Sequence, residues 1–245
     1  MPSIHTLAVI PARLASTRLP RKVLRDIAGK PMLQWIVEAA LAAPRLDRVV
    51  IATDSEEVMA LAAHHGWEAM LTSPDLQSGS DRVHAVSRKI DSEIVVNIQG
   101  DEPMLRPAHI DALLAPFGRP EIEAQVTTLW TPCTPEEVAD PNAVKVVLAE
   151  DGHALYFSRS TIPFDRERTG GLVYRKHLGL YAYRREALER FAGLPPNPLE
   201  TTERLEQLRL LAHNIPIYVE QTPHTTIGVD TEADLDRVAA ILAAR

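Results

Sequence analysis

The sequence predicts an α/β fold built on a doubly wound, mostly parallel sheet, and three observations carry that expectation. Short, almost unbroken apolar runs, at Leu7–Ile10, Val49–Ala52 and Ile94–Ile98, suit strands buried on both faces. Segments with apolar residues at helical spacing alternate with them through about residue 130, the pattern of repeated strand-helix-strand units. Charged residues follow the C-terminal ends of these runs, where open α/β sheets hold their ligands.

With 245 residues and 45% hydrophobic content, the chain can bury a substantial core as one large domain, or one with a small annex. A net charge of -7 gives no whole-protein attraction to nucleic acid or to an anionic membrane, so an anion must be bound by a local basic patch. Cys133 is the only cysteine, which excludes an intrachain disulfide and a cysteine-rich zinc site and agrees with a reducing cytosol. The first apolar run is too short, and too soon broken by Pro11 and Arg13, for a signal peptide or a membrane span.

Leu7–Ile10 is the first strand and Pro31–Ala43 a helix, with Pro31 in its first turn. The loop between them carries Arg13, Arg18, Arg21, Lys22 and Arg25 without one acid before Asp26, and Ser16 and Thr17 add donors. Such a loop either binds a polyphosphate or is a solvated basic loop; its position after the first strand, that of a nucleotide site, favours the phosphate. Arg48–Thr53 is the second strand, ending at Asp54, with Ser55 capping the next helix. Trp67–Leu71 is a short third strand. Ser78-Gly79-Ser80-Asp81-Arg82 opens a further helix, where Arg82 is able to meet a base or a phosphate and Asp81 is best read as a helix-start acid.

The central strand, Ile94–Ile98, is closed by Gly100 and followed at once by Asp101, Glu102 and Pro103. Asp101 is thus either the seat of a hard metal ion or the cap of a turn, and its surroundings alone leave both open. After a helix around Ile110–Leu114 and a strand at Ala124–Trp130 the pattern changes. Strands at Ala143–Leu148, Ala154–Phe157 and Arg175–Tyr183 lie close together and predict a small antiparallel lobe or subunit contact. Leu199–Leu211 is expected as one helix, with Leu205, Leu208 and Leu211 on one side and Glu203, Glu206 and Gln207 largely on a wet face. Ile215–Val219 is another strand. Asp230 is a second acid at a strand-to-helix corner, and Thr231 caps the last helix.

Together these stretches resemble the 3-deoxy-manno-octulosonate (Kdo) cytidylyltransferases. The resemblance runs over nearly the whole chain and is carried by Pro11-Ala-Arg-Leu-Ala-Ser-Thr-Arg-Leu-Pro-Arg-Lys22, Gly29-Lys-Pro31, Ser78-Gly-Ser-Asp-Arg82, Asn97-Ile-Gln-Gly-Asp-Glu-Pro103, Tyr156-Phe-Ser-Arg159 with Ile162-Pro163, Lys176-His-Leu-Gly-Leu-Tyr181, Leu205-Glu-Gln-Leu-Arg209 and Ile227-Gly-Val-Asp230. Any one of these is weak; eight in order are specific. Two positions depart from the family: Ser80 stands where threonine is more frequent, and Arg21 where glycine is.

The resemblance implies a nucleotide-diphospho-sugar transferase-like, Rossmann-like fold and a reaction of CTP with Kdo to give CMP-Kdo and pyrophosphate, for lipopolysaccharide biosynthesis. It further implies magnesium as cofactor, a homodimer, a cytoplasmic setting, and no nucleic-acid partner or membrane insertion. As a single domain, 1–245, the chain would comprise a mainly CTP-binding core (1–130), a sugar-binding and dimer-contact lobe (131–225) and a metal-site corner with the last helix (226–245). Carried over by position, Arg13, Ser16, Arg18 and Lys22 hold the CTP phosphates, while Arg82 and Gln99, with backbone near Pro11 and Ala12 and the hydroxyl of Ser80, lie around the cytidine. Asp101 and Asp230 hold the metal, and Arg13 and Lys22 join them as the catalytic set. Arg159, His177, Tyr181, Glu206 and Gln207 line the sugar site, His177 for recognition rather than as a base. Another acidic sugar, or a nucleotide-binding protein without turnover, are the rival readings; both metal carboxylates and the loop lysine count against the second.

Overall fold

In the computed structural model, residues 4–14, 18–76, 78–167 and 170–244 are described. The chain forms two compact units, Met1–Asp111 with Thr226–Arg245, and Ala112–Thr225.

The first unit begins with β1 (Ile4–Ala12), whose Leu7, Ala8, Val9 and Ile10 are fully buried. A 3-10 turn at Lys22–Leu24 and a minimal hairpin, β2 (Asp26–Ile27) with β3 (Lys30–Pro31), lead into α1 (Met32–Leu41). Next come β4 (Arg48–Thr53), α2 (Glu56–His65), β5 (Ala69–Leu71), α3 (Gly79–Ser87), β6 (Ser92–Asn97) and α4 (Pro107–Leu114). β1 pairs in parallel with β4 on one side and β6 on the other, and β5 adds in parallel to β4. The chain therefore winds outward from β1 through β4 and β5, then returns to the opposite side at β6. That reversal is the switch point at which open α/β sheets present a crevice beyond their strand ends. Residues 11–13 and 98–101 lie there.

The helix starts follow from side-chain chemistry. Ser55 caps α2 through the Val58 amide, and Ser78 caps α3 in a reciprocal pair with Asp81, whose carboxylate accepts from the Ser78 amide at 3.0 Å. Asp81 is therefore spent on the helix start.

In the second unit, β7 (Val126–Pro132), α5 (Pro135–Ala139), β8 (Lys145–Leu148), β9 (Ala154–Ser158) and β10 (Arg175–Arg184) are followed by α6 (Arg185–Ala192), α7 (Pro198–Glu203), α8 (Gln207–Ala212) and β11 (Ile217–Gln221). β10 runs antiparallel to β7 and β8, β8 is antiparallel to β9, and β11 adds in parallel to β7. The expected antiparallel lobe is present. The expected single helix over Leu199–Leu211 is not. It is broken after Glu203 by Arg204, which takes left-handed backbone angles (φ 56°, ψ 46°) and turns the chain before α8. A buried pair across the break, Arg209 Nε to Glu200 Oε2 at 2.7 Å, rewards the bend, and apolar spacing does not reveal such a tertiary contact. The chain then rejoins the first unit with α9 (Glu232–Ala243), capped by Thr231 and Asp234.

Candidate active site

The site is built at the switch point of the first unit. Gly100 brings the end of β6 against the end of β1 so closely that any Cβ there would collide with the Pro11 carbonyl oxygen. On the far side, the Val229 amide donates to the Asp101 carbonyl at 2.9 Å, stitching the segment before α9 to the corner after β6. Two acids 129 positions apart in the sequence are thereby brought together. Between them lies Lys22, delivered by the 3-10 turn that Val23 anchors in the core. Its Nζ donates to Asp101 Oδ2 at 2.7 Å and to Asp230 Oδ1 at 2.9 Å, while Arg18 reaches the other Asp230 oxygen at 2.9 Å.

The electrostatics follow from that triangle. Burial disfavours the Lys22 ammonium, but the charge and hydrogen bond of Asp101, with those of Asp230, outweigh it and hold its pKa above the ordinary lysine value. Burial likewise raises Asp230, and the bond and charge of Lys22, then of Arg18, override it and leave Asp230 below the usual carboxylate range.

A cavity of about 400 Å³ opens over this cluster. Arg13, Arg18 and Lys22 supply its cations, Asp101 and Asp230 its carboxylates, and Pro11, Gly79, Gln99 and Gly100 its walls. It is thus a polar recess with a cationic side and an acidic corner, suited to a polyanion accompanied by a cation. A slightly larger cavity, about 470 Å³, lies in the second unit between Phe117 and Arg184 and is lined by none of the candidate residues.

Three of the expected nucleotide-site residues, Ser16, Ser80 and Arg82, are not among the described lining of this cavity. Ser16 lies outside the described residues. Ala12 is fully buried, which leaves its backbone, the part expected of it, as what it can offer. Ser80 lies in the first turn of α3 and is not among the cavity's lining residues. Arg82 is 0% exposed and also lies outside that lining. Its guanidinium is held by Asp54 Oδ2 at 2.6 Å, Thr72 Oγ1 at 2.5 Å and the Ser73 carbonyl at 3.3 Å, so it braces the ends of β4 and β5 behind α3. Arg21 has φ 57°, the left-handed region where glycine is free of steric cost, and its side chain pairs with Glu57 at the surface.

The five sugar-site candidates all lie in the second unit. His177 Nε2 is 3.0 Å from both Thr128 Oγ1 and the Tyr181 hydroxyl, and burial pushes the imidazole down to about 3, so it is neutral at working pH. Burial raises the Tyr181 hydroxyl well above its ordinary value, with the charges of Tyr183 and Glu206 adding to the effect. Gln207 is 7% exposed rather than on a wet face, and its amide nitrogen is buried without a hydrogen-bond partner among the described residues. Such a donor is costly unless something else takes it up. Arg159 lies at the end of β9, gripped by Glu203 and by backbone. Sequence reasoning left Glu203 on a wet face and passed over Lys145, although a lysine inside the apolar β8 pattern was a visible anomaly.

The sequence pattern of the family described as Cytidylyltransferase matches residues 7–221. The chain is 61% identical, over 100% of its length and 99% of the relative's, to the 3-deoxy-manno-octulosonate cytidylyltransferase of Acidobacterium capsulatum. The chain belongs to the 3-deoxy-manno-octulosonate cytidylyltransferase family. A solved structure described as CMP:2-keto-3-deoxy-manno-octonic acid synthetase complexed with CTP superposes on this family member with a TM-score of 0.92 at 42% identity, covering 98% of this chain and 99% of the other. A glucose-1-phosphate thymidylyltransferase structure from Bacillus anthracis, described as putative, matches with a TM-score of 0.69 at 13% identity over 98% and 96% of the two chains, which shows a shared nucleotidyltransferase fold alone.

Proposed function

We propose that this chain transfers the cytidylyl group of CTP to the anomeric hydroxyl of Kdo, releasing pyrophosphate and giving CMP-Kdo for lipopolysaccharide biosynthesis. The observation that carries this reading is the shared grip of Asp101 and Asp230 on one cation, inside a cavity whose other charges are positive. In the reaction the sugar oxygen bonds to the α-phosphorus, the bond to the pyrophosphate oxygen breaks, and the hydroxyl proton is lost to solvent or product. The protein's part is to position and to neutralise. Arg13, Arg18 and Lys22 bind the triphosphate and stabilise charge gathering on the leaving group, and Gln99 and the Pro11 segment flank the nucleoside.

Magnesium fits the acidic corner. Two hard carboxylates already share one ammonium there, and magnesium needs only one or two carboxylates alongside substrate phosphates. Asp101 and Asp230 would hold it, and when bound it supplies charge neutralisation at phosphate oxygens and lowers the pKa of a coordinated hydroxyl. Lys22 would then turn from the carboxylates to the triphosphate. No covalent nucleophile is required. Neutral His177, the Tyr181 hydroxyl, Glu206 and the buried amide of Gln207 provide hydrogen bonds for sugar hydroxyls, and Arg159 a counter-charge for the sugar carboxylate.

Among the described residues no helix is long and apolar enough to cross a membrane. A cytoplasmic homodimer is part of the proposal. Leu155, Phe164, Leu172 and Val173 of the second unit are exposed apolar side chains, Phe164 at 82%, and burying them against a second copy would remove them from water. Pyrophosphate release from CTP and magnesium, measured with Kdo, an amino analogue of Kdo and a sialic acid, and repeated with other nucleoside triphosphates, tests the assignment. Kdo with CTP is expected to give the highest kcat/KM; a higher value for another pair would replace it.

A further inference from the structure

Arg159 is constrained far more tightly than a half-exposed arginine requires. Its amide donates to Glu203 Oε2 at 3.0 Å and its carbonyl accepts from Lys145 Nζ at 2.9 Å. Its Nε donates to the Glu203 carbonyl at 2.7 Å and its Nη1 to the Pro141 carbonyl at 3.0 Å. The groups doing the holding are themselves held. Lys145 is 0% exposed, and its ammonium makes two further bonds, to the Asp140 carbonyl at 2.7 Å and the Ala143 carbonyl at 2.5 Å, tying the turn before β8 to the end of β9. The second carboxylate oxygen of Glu203 accepts from Ser158 Oγ at 2.6 Å. The Glu203 carbonyl is at the C-terminal end of α7, where helical carbonyls lack a partner and a cation is favoured.

These anchors leave Nη2 as the guanidinium nitrogen with no hydrogen-bond partner among the described residues. We propose that Glu203, backed by Lys145, is a positioning residue that fixes the direction in which Arg159 presents this remaining donor edge to the carboxylate of the acidic sugar. The inference rests on the reading of Arg159 as part of the sugar site. A guanidinium held by both its backbone and its inner nitrogens loses little further freedom when a carboxylate docks, and the planar fork demands a fixed direction. Glu203 thereby acts on affinity for the anionic sugar without touching it.

The test is a double-mutant cycle of Glu203→Gln and Arg159→Ala, measuring KM for Kdo and for CTP separately, with the thermal midpoint of each variant. Glu203→Gln keeps the shape but removes the carboxylate charge that strengthens the bonds from the Arg159 amide and the Ser158 hydroxyl, so KM for Kdo is expected to rise about tenfold, with kcat and KM for CTP little moved. Glu203→Asp, which keeps the charge at shorter reach, is expected to fall between. In the Arg159→Ala background Glu203→Gln should add less than twofold. An equal rise in both backgrounds, or a parallel rise in KM for CTP, would overturn the positioning role. An Arg159→Ala variant with unchanged KM for Kdo would overturn the sugar-site reading itself, and the proposal with it.

Discussion

Replacing Gly100 by alanine should separate the two halves of the site. The added methyl would lie inside the 3.0 Å limit that Cβ atoms essentially never cross, and what it meets is the Pro11 carbonyl, backbone rather than a yielding side chain. Restoring an ordinary carbon-to-oxygen contact of about 3.3–3.6 Å needs roughly 1 Å of separation. That movement falls on the ends of β1 and β6, which lead into Arg13 and Asp101 respectively. Overpacking of this kind costs about 1–3 kcal/mol of stability, and about 1 Å of misplacement at a reacting centre costs on the order of 10²-fold in rate. The assay is pyrophosphate release at saturating CTP and Kdo, with thermal unfolding alongside. Gly79→Ala is the control, because a Cβ there meets the Pro11 ring at 3.3 Å, a contact that a few tenths of an ångström relieve, and alanine suits a helix better than glycine. Gly100→Ala with the rate and midpoint of the wild type, or no worse than Gly79→Ala, would refute the argument that this close approach builds the site.

Lys22→Met keeps the aliphatic stem and removes the ammonium, and turnover should fall about 10²–10³-fold, the cost of one charge-stabilising donor. In the intact protein the depressed pKa of Asp230 contributes stability above about pH 4 that is lost as pH falls through its lowered folded value, so Lys22→Met should shift acid unfolding to higher pH. Arg21→Gly should stabilise by up to about 1 kcal/mol in chemical denaturation, because φ 57° suits glycine and the Glu57 pair it surrenders is exposed. A loss of stability would show that the pair outweighs the backbone cost. His177→Gln should leave the limbs of the pH-rate profile in place, since the imidazole is held neutral down to about 3. The same depressed pKa means that the unfolded chain binds the extra proton first, so stability should fall as pH drops below about 6.5, and less steeply in the variant.

Much of this molecule is written in local patterns. The apolar runs at Leu7–Ile10 and Ile94–Ile98 specify strands buried on both faces, and Ser55, Ser78 and Thr231 specify helix starts, because burial and capping depend on neighbours a few positions away. A loop holding five cations and no acid points to an anion only together with its position after the first strand. What the sequence left open turned on partners distant along the chain. Asp101 has two equal readings by its own surroundings, and only the bond from Val229 brings Asp230 to the same ammonium. Arg82 looked like a ligand for a nucleotide until Asp54 and Thr72 were seen to enclose it. The stretch Leu199–Leu211 has a helical period throughout, yet the pair between Glu200 and Arg209 and the left-handed Arg204 divide it. Charge and periodicity belong to the sequence, whereas the choice of partner for a charge is made only when folding fixes which desolvated groups lie within reach of it.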